Sequence, residues 1–232
     1  MERYPVQVVV RKNARGLASA VVAGFKQVKS PALTVIDADL QHPPELIPNL
    51  LKEIQNGADI VITSRYIPGG SIPKWGISRK FASKFAAVLA KTILPATRGI
   101  ADPLSGFFAF NREAIGKVEL KPIGYKILLE VLALGHYAKV TEIPYTFSER
   151  EKGDTKYSFK EIANYIKHVL SLAWRTGEIA RLFKFILVGA TGIIINEGLL
   201  YVLTEYAGLF YLIISVIAVQ AAILNNFVWN HI

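Results

Sequence analysis

Residues 209–229 (LFYLIISVIAVQAAILNNFVW) contain no charged side chain. A helix of that length that is apolar on every side must be surrounded either by protein or by lipid. A similar run, residues 182–204 (LFKFILVGATGIIINEGLLYVLT), precedes it. As a helix it extends roughly 35 Å, enough for a hydrocarbon layer of about 30 Å. A short break containing Glu205 and Gly208 separates the two runs. The pattern predicts two membrane-spanning helices joined as a tight hairpin, in preference to a pair of buried core helices.

The charge distribution adds an orientation. The 232 residues carry a net charge of +9. Beyond residue 180 there are two basic residues, Arg181 and Lys184, and two acidic ones, Glu197 and Glu205, so the first 180 residues carry the whole excess. Lys152, Lys156, Lys160, Lys167, Arg175, Arg181 and Lys184 lie ahead of the first apolar run or at its start, whereas residues 204–208 have no basic side chain. Cytoplasmic flanks are the positive ones. This predicts a multi-pass protein of the cell membrane, with the large basic part in the cytoplasm. Asn196 and Glu197 fall inside the first run and are expected to make an interhelical hydrogen bond or, alternatively, a headgroup or proton site. With no cysteine in the chain, disulfides, thiolate metal sites and cysteine nucleophiles are excluded.

The first 150 residues alternate. Residues 6–10 read as a strand, 16–28 as a helix, 33–36 as a buried strand, 44–55 as a helix with proline in its first turn, and 59–64 as a further strand. Such alternation predicts an α/β domain around a parallel sheet, whose ligands bind beyond the carboxyl ends of the strands. Asp37, Asp39 and Arg65 all fall at such ends.

Asp37-Ala38-Asp39-Leu40-Gln41 follows the apolar run LTVI directly. Two carboxylates and an amide at alternate positions are hard oxygen ligands suited to Mg²⁺ or Mn²⁺. The rival reading is a helix cap, which the intervening Pro43-Pro44 makes less natural. His42 reads as a turn residue. Arg65 closes the third strand. Residues 77–94 form a helix with an apolar face (Ile77, Phe81, Phe85, Val88, Leu89, Ile93) beside a basic one (Arg79, Lys80, Lys84). That suits a membrane surface as well as a packed soluble helix. Residues 158–172 repeat the pattern. Residues 147–157 (FSEREKGDTKY) form a charged loop whose Arg150, Lys152 and Lys156 are placed to close over phosphates.

The ordered motifs DADLQHPPE, SRY, ISRKFAS, ADPLSGFFAFNREAI, GYKILLEVL and FSEREKGDTKYS span nearly all of residues 6–175. Together they resemble the polyprenyl-phosphate glycosyltransferases of the GT-A type, family 2, and among them the dolichyl-phosphate mannose synthases, especially archaeal ones. The C-terminal runs resemble the GtrA-like transmembrane module. The resemblance implies a GT-A, Rossmann-like catalytic domain over residues 1–157. It also implies an amphipathic interface helix over 158–180 and a transmembrane hairpin over 181–232. In the same family pattern a strand and a nucleotide-gripping turn stand ahead of the second strand. About 30 residues or more of one βαβ unit are therefore expected to be missing here, and the tail stops within a motif that normally continues.

What the resemblance implies for individual residues is specific. Asp37, Asp39 and Gln41 match the metal motif, with Mg²⁺ or Mn²⁺ as cofactor. Asp37, Ala38, Asp39, Arg65, Arg150 and Lys156 match donor-binding positions, and Asp39, Arg65 and Arg150 the catalytic ones. Arg79 and Ser83 match the acceptor-phosphate positions, while Asp102 and Ser105 border the sugar. The implied reaction is inverting transfer of mannose from GDP-mannose to a polyprenyl or dolichyl phosphate at the cytoplasmic membrane face. The acceptor phosphomonoester is ionised at neutral pH, its second pKa being about 6, so no protein base is needed. Rival readings are another donor such as UDP-glucose, or a non-catalytic membrane scaffold or lipid-linked-sugar translocation partner. Nucleic acid is not expected as a partner, because the basic residues adjoin apolar spans and no aromatic stacking platform accompanies them.

Overall fold

A computed structural model of the chain describes residues 7–11, 16–39, 41–72, 76–116, 118–121, 123–148, 159–207 and 210–231. The chain divides into two compact units, Met1–Thr176 and Gly177–Ile232.

The first unit is built on a four-stranded sheet of β1 (Ala32–Val35), β2 (Ile60–Ser64), β3 (Phe108–Asn111) and β4 (Val140–Pro144), in the order β1-β3-β2-β4. The two central strands, β2 and β3, are buried almost throughout because both faces are covered. On one face Ile60, Ile62, Phe108 and Phe110 pack with Leu128, Val131 and Leu132 of α5 (Ile127–Leu134) and with Val21, Val22 and Phe25 of α1 (Leu17–Gln27). On the other, Val61, Phe107 and Ala109 meet Leu50 and Ile54 of α2 (Ile47–Gln55). The period-two alternation of β2 and β3 thus feeds two core layers.

Two expectations need correction. The sheet is mixed: β2 and β4 are parallel, but β3 is antiparallel to both β1 and β2. The chain enters β3 from a loop anchored at the carboxyl end of β2, so Phe108 pairs with Ile62 and β3 has to run back toward Ile60. Residues 7–11 form no strand, and Val8, Val9 and Val10 are exposed. An apolar run becomes a strand only with a ladder partner, and β1 pairs only with β3 among the described residues.

α3 (Ile77–Ile93) reverses the usual packing of an amphipathic helix. Its buried side is small, Ala87 and Ala90, while Ile77, Phe81, Phe85 and Val88 stand 76%, 71%, 70% and 59% exposed. α6 (Phe159–Arg175) buries Val169, Leu172 and Ala173 and also presents Ile162, Ile166, Leu170 and Trp174 as an exposed stripe at helical spacing. The Tyr165 hydroxyl, donating to the Ala86 carbonyl, ties the two helices together. A short α4 (Arg112–Ile115) follows β3.

α6 also buries His168, whose two ring nitrogens have no hydrogen-bond partner among the described residues. Burial, with Arg175 as a lesser cause, lowers its pKa to about 4. As pH falls, the unfolded chain takes up this proton first, near 6.5. Stability is therefore full above that pH and declines toward 4 by about 1.4 kcal/mol per pH unit. His168→Phe is expected to flatten this decline in denaturant titrations of the full chain between pH 4 and 7; an unchanged slope would refute the assignment.

The second unit is a hairpin of α7 (Glu178–Ala207) and α8 (Tyr211–His231). Both helices are long and apolar enough to cross a membrane, and only 11% of each apolar window is buried, unlike a core helix. Asn225 Nδ2 donates to Thr191 Oγ1 at 2.9 Å, and a Cβ on Gly192 would overlap the Asn226 side chain. The interhelical hydrogen bond expected at Asn196 or Glu197 is therefore found at Thr191, while Asn196 Nδ2 donates to its neighbour Glu197. Close approach at a glycine with one polar pair is how apolar helices associate in lipid, where burial of apolar surface provides no net drive.

Candidate active site

β1 delivers the acidic turn past its carboxyl end. Asp39 Oδ1 accepts the Gln41 backbone N–H at 3.2 Å, closing the turn, and both aspartates remain partly exposed. Gln41 is buried: its Nε2 donates to the Ser148 carbonyl at 3.2 Å, and Ser148 N–H donates back to the Gln41 carbonyl. Asp37 Oδ2 stands 3.8 Å from His42 Nε2. His42 is not a mere turn residue. Its buried ring lies among Phe107, Tyr145 and Phe147, with centroids 5.4–5.6 Å away, and burial lowers its pKa to about 4.

Arg65 follows β2 and turns inward. Its Nε and NH2 donate to Asp102 Oδ2 and Oδ1 at 2.7 and 2.8 Å, and its backbone N–H reaches Oδ2 at 3.2 Å. The rings of Tyr66 and Phe147 lie 5.4 and 5.6 Å from the guanidinium carbon. Burial opposes the charge, but the bidentate pair with Asp102 outweighs it and holds Arg65 protonated above the ordinary arginine range. Asp102 and Ser105 are 1% and 3% exposed. Both sit beneath the surface as supports, Ser105 within 3.5 Å of Thr63 Oγ1 and donating to the Phe107 carbonyl at 3.3 Å.

The loop 101–106 joins these parts. Glu142, in the middle of β4, accepts the Ala101 and Asp102 N–H groups at 2.7 and 3.0 Å, which fixes the carboxylate that fixes Arg65. Leu104 accepts from Lys126 Nζ at 2.9 Å. Gly106 passes so close to Asp37 that a Cβ there would lie 3.0 Å from Oδ2. On the far side, the Tyr66 hydroxyl meets Ser83 Oγ at 2.9 Å, which brings α3 and its half-buried Arg79 to the same end of the sheet.

Asp37, Ala38, Asp39, Gln41, Arg65, Arg79 and Ser83 therefore lie around one end of the sheet. Arg150 and Lys156 lie outside the described residues. Among the described residues no three His, Cys, Asp or Glu side chains converge as a protein cage for a metal. The two carboxylates of the turn are instead a donor set for a hard cation that takes its other ligands from a diphosphate and water, as Mg²⁺ and Mn²⁺ do. Glu142 and Lys126 escaped the sequence reading. The available signal was a carboxylate inside the strand run VTEIP and an ammonium heading the apolar run ILLEVL.

Residues 1–118, half of the chain, match the model of glycosyl transferase family 2. The chain belongs to that family. Residues 184–232 of this family 2 chain match the GtrA/DPMS transmembrane domain, and with the two exposed apolar helices this makes the C-terminal unit membrane-associated. The chain is 47% identical over 230 residues to a dolichol-phosphate mannosyltransferase of Pyrococcus furiosus, covering 99% of this chain and 65% of that protein. It is 38% identical over 178 residues to the dolichol-phosphate mannosyltransferase of Saccharomyces cerevisiae, covering 73% and 65%. The chain thus spans a little under two thirds of the length of these curated relatives. Among solved structures, glucosyl-3-phosphoglycerate synthase of Mycobacterium tuberculosis, crystallised with Mn²⁺ and UDP, shares the fold at a TM-score of 0.53. It is 18% identical, over 72% of this chain and 56% of that one.

Proposed function

We propose that this family 2 protein transfers mannose from GDP-mannose to a polyprenyl or dolichyl phosphate, with inversion and with a divalent cation, at the cytoplasmic face of a membrane. The observation that carries this reading is the meeting of the Asp37/Asp39 turn, the Asp102-locked Arg65 and the Arg79/Ser83 helix at one sheet end. The dolichol-phosphate mannosyltransferase relatives support the choice of sugar and acceptor.

A lipid phosphate is a competent nucleophile without a base. One of its oxygens bonds to C1 of the sugar as the C1–O bond to the diphosphate breaks, and the electron pair leaves with the diphosphate. Asp37, Asp39 and Gln41 would hold a divalent cation, which when bound would neutralise charge on that leaving group. Arg65, rigid because Asp102 grips it from behind, presents a fixed positive charge that needs no reorganisation during the reaction. Arg79 and Ser83 orient the acceptor phosphate. Arg150 and Lys156 complete the donor side in this reading.

The outward-facing stripes of α3 and α6 account for how a water-soluble donor meets a lipid acceptor. Exposed bulky apolar side chains beside Arg79 and Lys80 suit the headgroup boundary, where the phosphate of a polyprenol resides. The positive flank of α7 favours a cytoplasmic catalytic unit.

The test is transfer from radiolabelled GDP-mannose to dolichyl phosphate by the full chain in nanodiscs, with UDP-glucose as competitor donor and EDTA as control. Labelled lipid that requires GDP-mannose and disappears with EDTA supports the reading. Transfer of glucose alone assigns the other donor. Nucleotide-sugar binding absent in the presence of Mn²⁺ favours a non-catalytic scaffold.

A further inference from the structure

Lys126 has no part in the roles above, yet it lies within electrostatic reach of both sides of the site. It occupies the N-cap position of α5 without making a side-chain cap bond. Its side chain runs instead to the Leu104 carbonyl, in the loop that carries Asp102 and Gly106. The charged groups acting on its ammonium are Arg65 and Arg79 as like charges and Asp37 and Asp102 as opposite ones. Asp102 already gives both oxygens to Arg65. Asp37 belongs to the candidate cation site and is drawn to the dication once that binds. Lys126 then faces two carboxylates that serve other partners.

Desolvation and the two arginines oppose the charge on Lys126, lowering it to about 8. A brace for one carbonyl does not require an ammonium under that strain. An ammonium has three hydrogens, and Leu104 takes one. The N-terminus of α5 adds its partial positive charge at the same place.

We propose that Lys126 is a phosphate-binding residue of this site, its ammonium tethered by the Leu104 carbonyl and donating its remaining hydrogens to a non-bridging phosphoryl oxygen. The proposal rests on the glycosyl-transfer reading. The phosphoryl group belongs either to the nucleoside diphosphate of the donor or to the phosphomonoester of the lipid acceptor, and the two are separable by experiment.

Two probes are used on the full chain in phosphatidylcholine nanodiscs: GDP with Mn²⁺, and dolichyl phosphate incorporated in the disc. Lys126→Met is expected to weaken binding of one probe by roughly ten- to a hundredfold, the size of a charge-assisted hydrogen bond, and Lys126→Arg to restore most of it. Loss confined to GDP assigns the donor diphosphate; loss confined to dolichyl phosphate assigns the acceptor. Acetylation of Lys126 in the unmutated protein, read by mass spectrometry, gives an answer independent of variant folding: the bound probe is expected to slow it at least roughly fivefold. Bound probes with unchanged acetylation, and equal affinity of Lys126→Met for both, overturn the proposal and leave the glycosyl-transfer reading standing. Failure of the unmutated protein to bind either probe overturns both.

Discussion

Asp39→Asn is expected to reduce sugar transfer at least roughly a thousandfold, on the order of 4 kcal/mol of transition-state stabilisation, while the protein keeps its fold. Asparagine is nearly isosteric, and its carbonyl oxygen can still accept the Gln41 N–H bond that Asp39 Oδ1 accepts at 3.2 Å. The turn therefore survives and only the negative charge is removed. That charge would hold the dication that neutralises the departing diphosphate. The check pairs transfer rates with Mn²⁺-dependent GDP binding and a thermal melt. Unchanged melting with both activities lost places Asp39 in the chemistry. Full activity in Asp39→Asn would reduce the aspartate to a turn cap and remove the basis for the reading.

Asp102→Ala should instead act through stability. It leaves the guanidinium of Arg65, 8% exposed, without its bidentate partner. Breaking one side of a buried pair costs about 3–5 kcal/mol, because the remaining charge is stranded in a poorly solvated place. For a unit of this size the melting temperature is expected to fall by on the order of 10 °C. The double variant Arg65→Met/Asp102→Leu separates stability from function. Replacing the whole pair by apolar groups of similar volume removes the stranded charge, so most stability returns. Transfer does not, because the fixed cation is gone. A double variant that regained transfer would show Arg65 to be a purely structural residue.

Much of the architecture was readable from local pattern. The apolar periodicity of residues 16–28, 44–55, 77–94 and 158–172 gave helices close to those found, and 33–36 and 59–64 gave β1 and β2. These elements are decided within one or two turns of chain, where side-chain spacing and proline placement act directly. Asp37 and Asp39 were legible as a site because carboxylates directly after a buried strand have few structural uses. The failures share a different character. Residues 6–10 had the composition of a strand, but a strand needs a partner that its own sequence does not specify. Local alternation points to a parallel sheet and does not reveal β3, whose antiparallel direction follows from where the 101–106 loop is anchored. The partners that bury Asp102 and Ser105, Arg65 and Thr63, lie about 40 residues away in the chain, beyond the reach of local pattern.

Residue order alone therefore determined the alternation of strands and helices, the two lipid-compatible helices, and the acidic turn at a strand end, since each is a matter of short-range spacing and transfer free energy. Tertiary structure alone decided that Arg65 is gripped by Asp102, that Glu142 holds Asp102 in place, and that Lys126 reaches Leu104. It also decided that α3 and α6 turn bulky apolar stripes outward, with Ala87 and Ala90 of α3 and Val169, Leu172 and Ala173 of α6 inward. Periodicity shows that a helix has an apolar face. Which face is buried depends on the competition among all the surfaces that the rest of the chain presents, and that competition is settled only when the chain is folded.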